Sequence, residues 1–205
     1  MNMFDLLNEC EFFVLSPSNP MRGFDCGDAD INDFFNIDAI VYQEQMLSQT
    51  CFFQHKVSEH LVCAFTLSPD SINTALLPNS RGKKVRENIS HTKPMKSFPA
   101  YLIGRFGVAR GFAKQGIGSQ LLQFIKSYCS ELFRYNCRFL VVDAYNKPEV
   151  LNFYRRNEFM TVFSTEQQER EYKKLDPDMP LRTRYMFYDM INWKNKSIIT
   201  KQYSH

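Results

Sequence analysis

The residues with the clearest chemical meaning lie in the run Val108-Ala-Arg-Gly-Phe-Ala-Lys-Gln-Gly-Ile-Gly-Ser-Gln-Leu121. An apolar, strand-like stretch from Tyr101 to Val108 enters a loop holding Gly111, Gly116 and Gly118, and a helix-forming stretch from Ser119 to Phe133 follows at once. The first N–H groups of a helix have no intrahelical acceptor, and the helix dipole favours negative charge beside them. Glycine lets a ligand come close to that backbone. Strand, glycine loop and helix start, in this order, predict a site for a phosphate or pyrophosphate group. Two familiar phosphate loops do not fit. No Gly-Lys-Ser/Thr follows the glycines, and Gly111, Gly116 and Gly118 are not spaced as Gly-x-Gly-x-x-Gly.

Other elements must frame this loop. Glu11–Leu15 reads as a first strand, closed by Pro17 and Pro20. Asp25-Cys-Gly-Asp28 carries turn and N-cap chemistry. Ile31, Phe34, Phe35, Ile37, Ile40, Val41 and Met46 recur at mostly helical spacing, which predicts one long or broken helix from Ala29 to Met46. Thr50–His55 and Leu61–Leu67 are β-rich, and the polar Lys56–His60 between them predicts a hairpin. Pro78 to Pro99 is a polar connection with Arg81, Lys83, Lys84, Arg86, Lys93 and Lys96 against Glu87. It reads as a solvated loop or short surface helix, with a lid as the sharper alternative.

Ala100–Val108 and Arg138–Ala144 read as buried strands. Leu121, Leu122, Phe124, Ile125, Tyr128, Cys129 and Leu132 form the core stripe of the helix between them. Lys147–Arg156 predicts a short helix with Pro148 in its first turn, where the missing N–H costs nothing. Phe159–Phe163 predicts a strand, Glu166–Pro180 a charged loop, Arg184–Ile191 a final strand, and the tail after Trp193 a frayed end.

At 205 residues, with 44% hydrophobic and 15% aromatic content, the chain supports one globular domain over 1–205 with its core in about 11–191. A net charge of +3, from 25 basic and 22 acidic residues, does not by itself argue for nucleic acid. No apolar run reaches the ~20 residues of a membrane span. Met1-Asn-Met-Phe-Asp5 lacks a signal-peptide pattern, so the expectation is a soluble cytoplasmic protein with no membrane partner. The six cysteines form no Cys-x-x-Cys pair, and His55, His60, His91 and His205 show no ligand spacing, so neither a disulfide framework nor a metal site is expected.

The glycine segment resembles the acetyl-CoA loop of the GNAT superfamily of N-acetyltransferases, whose core pattern is Arg/Gln-x-x-Gly-x-Gly/Ala after a strand ending in Val. Gly116-Ile117-Gly118 match the glycines, Val108 the strand end and Phe112 the usual aromatic, while Ala113 stands at the Arg/Gln position. The predicted element order is similar to the GNAT order across nearly the whole chain. The resemblance implies an α/β (α+β) fold: a mixed, mostly antiparallel sheet of about six to seven strands, splayed at the cofactor site, with helices on both faces. It implies acetyl-CoA as co-substrate. The backbone of Phe106, Gly107 and Val108 would pair with the pantetheine arm, and the N–H of Val108 would polarise the thioester carbonyl. The loop of Ala113, Lys114, Gln115, Gly116, Ile117, Gly118 and Ser119 would hold the pyrophosphate, through backbone N–H groups from Lys114 to Ser119.

A second stretch, Leu151-Asn-Phe-Tyr-Arg-Arg-Asn-Glu-Phe159, is similar to the family's Asn…Phe-Tyr-x-x-x-Gly-Phe. The resemblance places at Tyr154 the tyrosine that protonates the departing thiolate, a task within reach of a phenol of pKa about 10. It places at Asn146 a contact to the pantetheine or to the helix start. Glu158 stands where glycine is usual. Arg105 stands where many relatives place a glutamate base, and a guanidinium cannot serve as one, so no base is assigned.

Ile103-Gly-Arg-Phe-Gly-Val108, with Phe24-Asp-Cys-Gly-Asp28, is similar to a GNAT subgroup that includes toxin acetyltransferases acting on aminoacyl-tRNA. The implied activity is direct transfer of acetyl from acetyl-CoA to a primary amine of a small molecule or protein, with Tyr154 as general acid. The alternatives are a toxin-type acetyltransferase of aminoacyl-tRNA, whose phosphates Arg81–Lys96, Arg155 and Arg156 would face, and a non-catalytic acyl-CoA-binding module. A homodimer is the expected assembly if the chain associates.

Overall fold

Residues 4–90, 95–132, 137–176 and 178–202 are described in a computed structural model of the chain. In chain order the elements begin with α1 (Leu6–Glu9), β1 (Cys10–Val14), α2 (Ala29–Asp33), a π-turn (Phe34–Asp38), α3 (Ala39–Glu44), β2 (Gln49–His55), β3 (Leu61–Asn73) and α4 (Asn79–Val85). They continue with β4 (Ser97–Val108), α5 (Ile117–Leu132), β5 (Phe139–Tyr145), α6 (Pro148–Arg156), β6 (Met160–Thr161), α7 (Glu166–Lys173), β7 (Thr183–Asp189) and α8 (Met190–Gln202). The strands form one seven-stranded sheet in the order β1-β2-β3-β4-β5-β7-β6. It is mixed: β4 and β5 run parallel, whereas β1–β2, β2–β3, β5–β7 and β6–β7 are antiparallel.

The chain groups into two compact units, Met1–Ser68 with Ile103–Ile125, and Pro69–Leu102 with Lys126–His205. In the first, Asp28 caps α2 by accepting from the Ile31 N–H at 3.2 Å. The helical run from Ala29 continues to Glu44 through the π-turn, whose extra residue turns the adjacent Phe34 and Phe35 both inward. They pack with Leu15, Met21, Phe24, Ala39, Phe52 and Ala64. Asn36 ties this run to the preceding loop, accepting from the Phe24 N–H at 2.9 Å and donating to the Phe24 carbonyl at 2.8 Å. Phe124, on the first half of α5, packs edge-on against Phe53 at 4.8 Å between centroids.

The second unit has its own core of Ile72, Leu77, Val85, Phe98, Ala100, Phe139, Val141, Val162, Phe163 and Phe187. β5 is buried from Phe139 to Val142, as a strand flanked on both edges must be. Its parallel pairing with β4 covers only Ala100–Leu102 against Phe139–Val141, although both strands continue beyond.

The polar connection after Pro78 holds α4, a short surface helix as one reading of it expected, with Gly82 and Val85 buried beneath its exposed lysines; His91 and Lys93 lie outside the described residues. Three sequence expectations change here. The charged segment from Glu166 holds α7 instead of a loop. Thr165 caps it by accepting from the Gln168 N–H at 3.2 Å, and its Glu169 is fully buried. The strand expected over Phe159–Phe163 is regular only at Met160 and Thr161: the Val162 N–H still donates to the Tyr185 carbonyl at 2.9 Å, but Glu169 takes the Tyr185 N–H and the Arg81 guanidinium takes the carbonyls of Thr161 and Val162. The last strand ends at Asp189 and the chain turns directly into α8, where a frayed tail was expected.

Candidate active site

The glycine loop begins where β4 ends. Gly107 is tightly packed: a Cβ there would lie 3.0 Å from the Phe24 ring. At Gly104 a Cβ would meet the Thr66 hydroxyl at 3.0 Å, and that hydroxyl accepts the Arg105 N–H at 2.9 Å. The amide of Arg105 is thus satisfied by a side chain of β3. Beyond Val108, the Ala109 N–H donates to Val62 and the Arg110 N–H to Asp25, at 2.8 and 2.9 Å. The Arg110 guanidinium lies 3.2 Å from the Asp25 carboxylate. The Asn32 amide, the Gly27 N–H and Arg110 hold that carboxyl below its ordinary range. The Phe24–Asp28 stretch, noted in the sequence as a subgroup feature, therefore anchors the start of the loop.

The loop itself is shaped by Lys114 and Gly116, both left-handed at φ +61° and +81°. The Gln115 side chain braces it by donating to the Gly111 carbonyl at 3.2 Å. α5 starts at Ile117, two residues earlier than the sequence predicts, so Ile117 and Gly118 form its first turn. The Gly116 carbonyl accepts from the N–H groups of Ser119 and Gln120 at 3.1 and 3.2 Å, which gives the Ser119 amide to the helix. The N–H groups of Lys114, Gln115, Gly116, Ile117 and Gly118 have no protein acceptor among the described residues. Ile117 is buried and anchors the turn, while Ala113 to Gly116 are exposed. A row of unused amides, exposed from Lys114 to Gly116, at the start of a 16-residue helix is suited to a polyanionic group.

In the second unit, α6 opens with Pro148 in its first turn and buries Leu151 and Tyr154. Tyr154 is 7% exposed and lies edge-on to Phe153 and Phe159, at 5.1 and 5.4 Å between centroids. Burial pushes its phenol above the ordinary tyrosine range, so it stays protonated through neutral and mildly alkaline pH. The helix closes as a Schellman turn: the Phe159 N–H donates to the Tyr154 carbonyl at 3.0 Å and the Glu158 N–H to the Arg155 carbonyl at 2.9 Å. Glu158 takes the left-handed position, φ +71°, that glycine usually fills.

The Asn146 side-chain amide donates to Glu166 and to the Leu181 carbonyl at 3.0 and 3.1 Å. The Arg105 guanidinium lies 5.0 Å over the Phe34 ring and 3.7 Å from Asp30. Among the basic residues of the second unit, Arg86 donates to the Thr74 hydroxyl at 3.1 Å and Lys84 pairs with Glu87. Lys83, Lys84, Arg155 and Arg156 are exposed. Lys126 is a residue the sequence reading passed over. It is completely buried and donates to the Asn157 carbonyl at 2.9 Å. Its spacing from Leu122 and Cys129 on the core stripe was the available signal. Among the described residues no group of three or more His, Cys, Asp or Glu side chains is placed to hold a metal ion, and no helix is long and apolar enough to cross a membrane.

Residues 77–159 match the family model of the acetyltransferase (GNAT) family, a span that includes the glycine loop, α5, β5 and α6 with Tyr154. Over this segment the chain is similar to the GNAT acetyltransferase family. Its fold is similar to that of a tyrosine-to-phenylalanine mutant of KacT, with a TM-score of 0.69 and 17% identity over 91% of this chain and 98% of that one. It is also similar to AtaT complexed with acetyl-methionyl-tRNAfMet, at 0.68 and 16% over 91% and 98%. AtaTR bound with AcCoA matches at 0.67 and 17% over 92% and 98%.

Proposed function

We propose that this chain is an N-acetyltransferase that moves the acetyl group of acetyl-CoA directly onto a primary amine. The observation that carries this reading is the row of unused backbone amides from Lys114 to Gly118, set by two left-handed residues at the start of α5 inside the segment that matches the family. Those amides fit a pyrophosphate through hydrogen bonds and the helix dipole, with no side-chain cation required at Ala113. Acetyl-CoA supplies an activated thioester. On the protein side, Phe106, Gly107 and Val108 offer backbone to the pantetheine arm, and the Val108 N–H donates to the carbonyl oxygen as it gains charge. The amine nitrogen bonds to the carbonyl carbon, the carbon–sulfur bond breaks, and the sulfur takes the hydroxyl proton of Tyr154. Burial keeps the Tyr154 phenol protonated at neutral pH, so its proton is present when the thiolate forms. The ammonium proton of the acceptor leaves to water, and the Tyr154 phenolate regains a proton from water.

The direct test is release of free thiol from acetyl-CoA with a panel of amines, peptides and aminoacyl-tRNAs. Turnover on any of them supports an enzyme. Acetyl-CoA binding without turnover on all of them overturns it in favour of an acyl-CoA-binding module. Aminoacyl-tRNA is the second reading for the acceptor. It is favoured by the similarity to AtaT in its complex with acetyl-methionyl-tRNAfMet over almost the full length of both chains. Lys83, Arg155 and Arg156 are exposed cations that could meet phosphates, with Lys84 beside them paired to Glu87. If they contact tRNA, affinity falls steeply with salt as counterions are released, and a salt-insensitive enzyme has a small or peptidic acceptor.

A further inference from the structure

A lysine without any solvent exposure is an expensive residue, and nothing in the transfer chemistry uses Lys126. Its Nζ lies 2.9 Å from the Asn157 carbonyl, 3.9 Å from the centre of the Tyr188 ring and 5.8 Å from that of Phe159. The charged groups around it are Glu158 from the turn after α6, 3.8 Å away, and Lys196 from α8, which reaches the same carboxylate at 2.5 Å. Tyr188 faces it from β7.

All of these contacts meet at the end of the helix that bears Tyr154. Asn157 donates its backbone N–H to the carbonyls of Phe153 and Tyr154, at 3.2 and 3.0 Å, and its side-chain amide to Phe153 at 2.9 Å. Phe159 donates to the Tyr154 carbonyl and packs on the Tyr154 ring. Lys126 therefore grips the two residues, Asn157 and Glu158, through which the last turn of α6 is closed. We propose that Lys126 is a positioning residue: its buried ammonium locks the C-terminal turn of α6 and so sets the Tyr154 hydroxyl, and the lock loosens when the ammonium loses its proton. The inference rests on the reading of Tyr154 as the general acid. A neutral amine keeps at most the bond to Asn157, because its attraction to Glu158 and to the Tyr188 ring depends on the charge. Burial lowers the Lys126 amine to about 8, which puts the loss within reach of ordinary assay conditions.

The test compares kcat and the KM for acetyl-CoA across pH in the wild type, Lys126→Arg, Lys126→Met and Tyr154→Phe, together with the backbone amide shifts of Asn157, Glu158 and Phe159. In the wild type kcat falls about fivefold from pH 8 to pH 9 relative to Lys126→Arg, whose charge persists, while KM is unmoved. The three amides titrate with the same midpoint in the wild type and not in Lys126→Met. Lys126→Met has a reduced kcat without loss of thermal stability. Wild-type kcat and pH profile in Lys126→Met overturn the proposal, as do amides that do not titrate. Should Tyr154→Phe keep full activity while the amides still titrate, the acid has been misassigned and the lock itself is sound. If Lys126→Met does not fold, the wild-type amide titration and Lys126→Arg decide the matter alone.

Discussion

The carbonyl of Tyr154 accepts the amide of Phe159 at 3.0 Å across a glutamate, Glu158, held at φ +71°. This bond ties the proposed acid to the turn that ends its own helix, so ring position and turn conformation are one structural variable. Tyr154→Phe keeps the packing with Phe153 and Phe159 and removes only the hydroxyl. The expected result is a kcat lower by about 10²-fold or more, with acetyl-CoA affinity by calorimetry almost unchanged. Full activity in this variant sends the search for the proton donor elsewhere.

Gly118 lies in the first turn of α5, beside the unused amides. Gly118→Asp adds bulk and negative charge where a pyrophosphate would sit. Calorimetry is expected to show no acetyl-CoA binding, with a circular dichroism spectrum like that of the wild type. Retained affinity would remove the loop from the mechanism.

Glu169 has no solvent exposure and serves three donors: the Arg184 guanidinium at 2.7 Å, Lys173 at 3.0 Å and the Tyr185 N–H at 2.5 Å. Glu169→Ala leaves the buried Arg184 with its main counter-charge missing, a loss of about 3–5 kcal/mol. Chemical denaturation is expected to show a lower midpoint, and a change under about 1 kcal/mol would mean that the pair is solvated in solution.

Lys174 closes α7 in the left-handed conformation at φ +52°, exposed to solvent. Lys174→Gly relieves the Cβ strain and is expected to raise stability by about 1 kcal/mol, read as a higher melting temperature.

The stability of the protein also depends on pH through Lys126. Its amine is lowered from 10.5 to about 8, chiefly by burial. Because the folded state binds this proton less well than the unfolded state, the destabilisation is complete below pH 8 and disappears as pH rises to about 10.5. Wild type minus Lys126→Met should therefore show a stability gap that narrows by about 3 kcal/mol over that window. Activity moves the opposite way if the ammonium is the lock, and that opposition separates a positioning role from a merely structural one.

What the sequence determined alone was local. The 3.6 period of α5, the glycines of the loop, Pro148 at the start of α6 and the hairpin around Lys56–His60 each declare themselves within a few residues, because sterics and capping act at that range. The loop and the Tyr154 helix were legible for this reason, as was the order of the strands. What only the tertiary structure decided depended on partners distant along the chain. α7 exists as a packed helix because Glu169 meets Arg184, and β6 is short where Glu169 takes the Tyr185 N–H and Arg81 takes the Val162 carbonyl. Glu158 can hold a glycine's conformation where it bridges Lys126 and Lys196, and Asn146 turns to Glu166 and Leu181. A buried charge is stable only beside the group that satisfies it. The sequence records that Lys126, Glu169 and Arg81 are present, and the fold alone brings each to its partner.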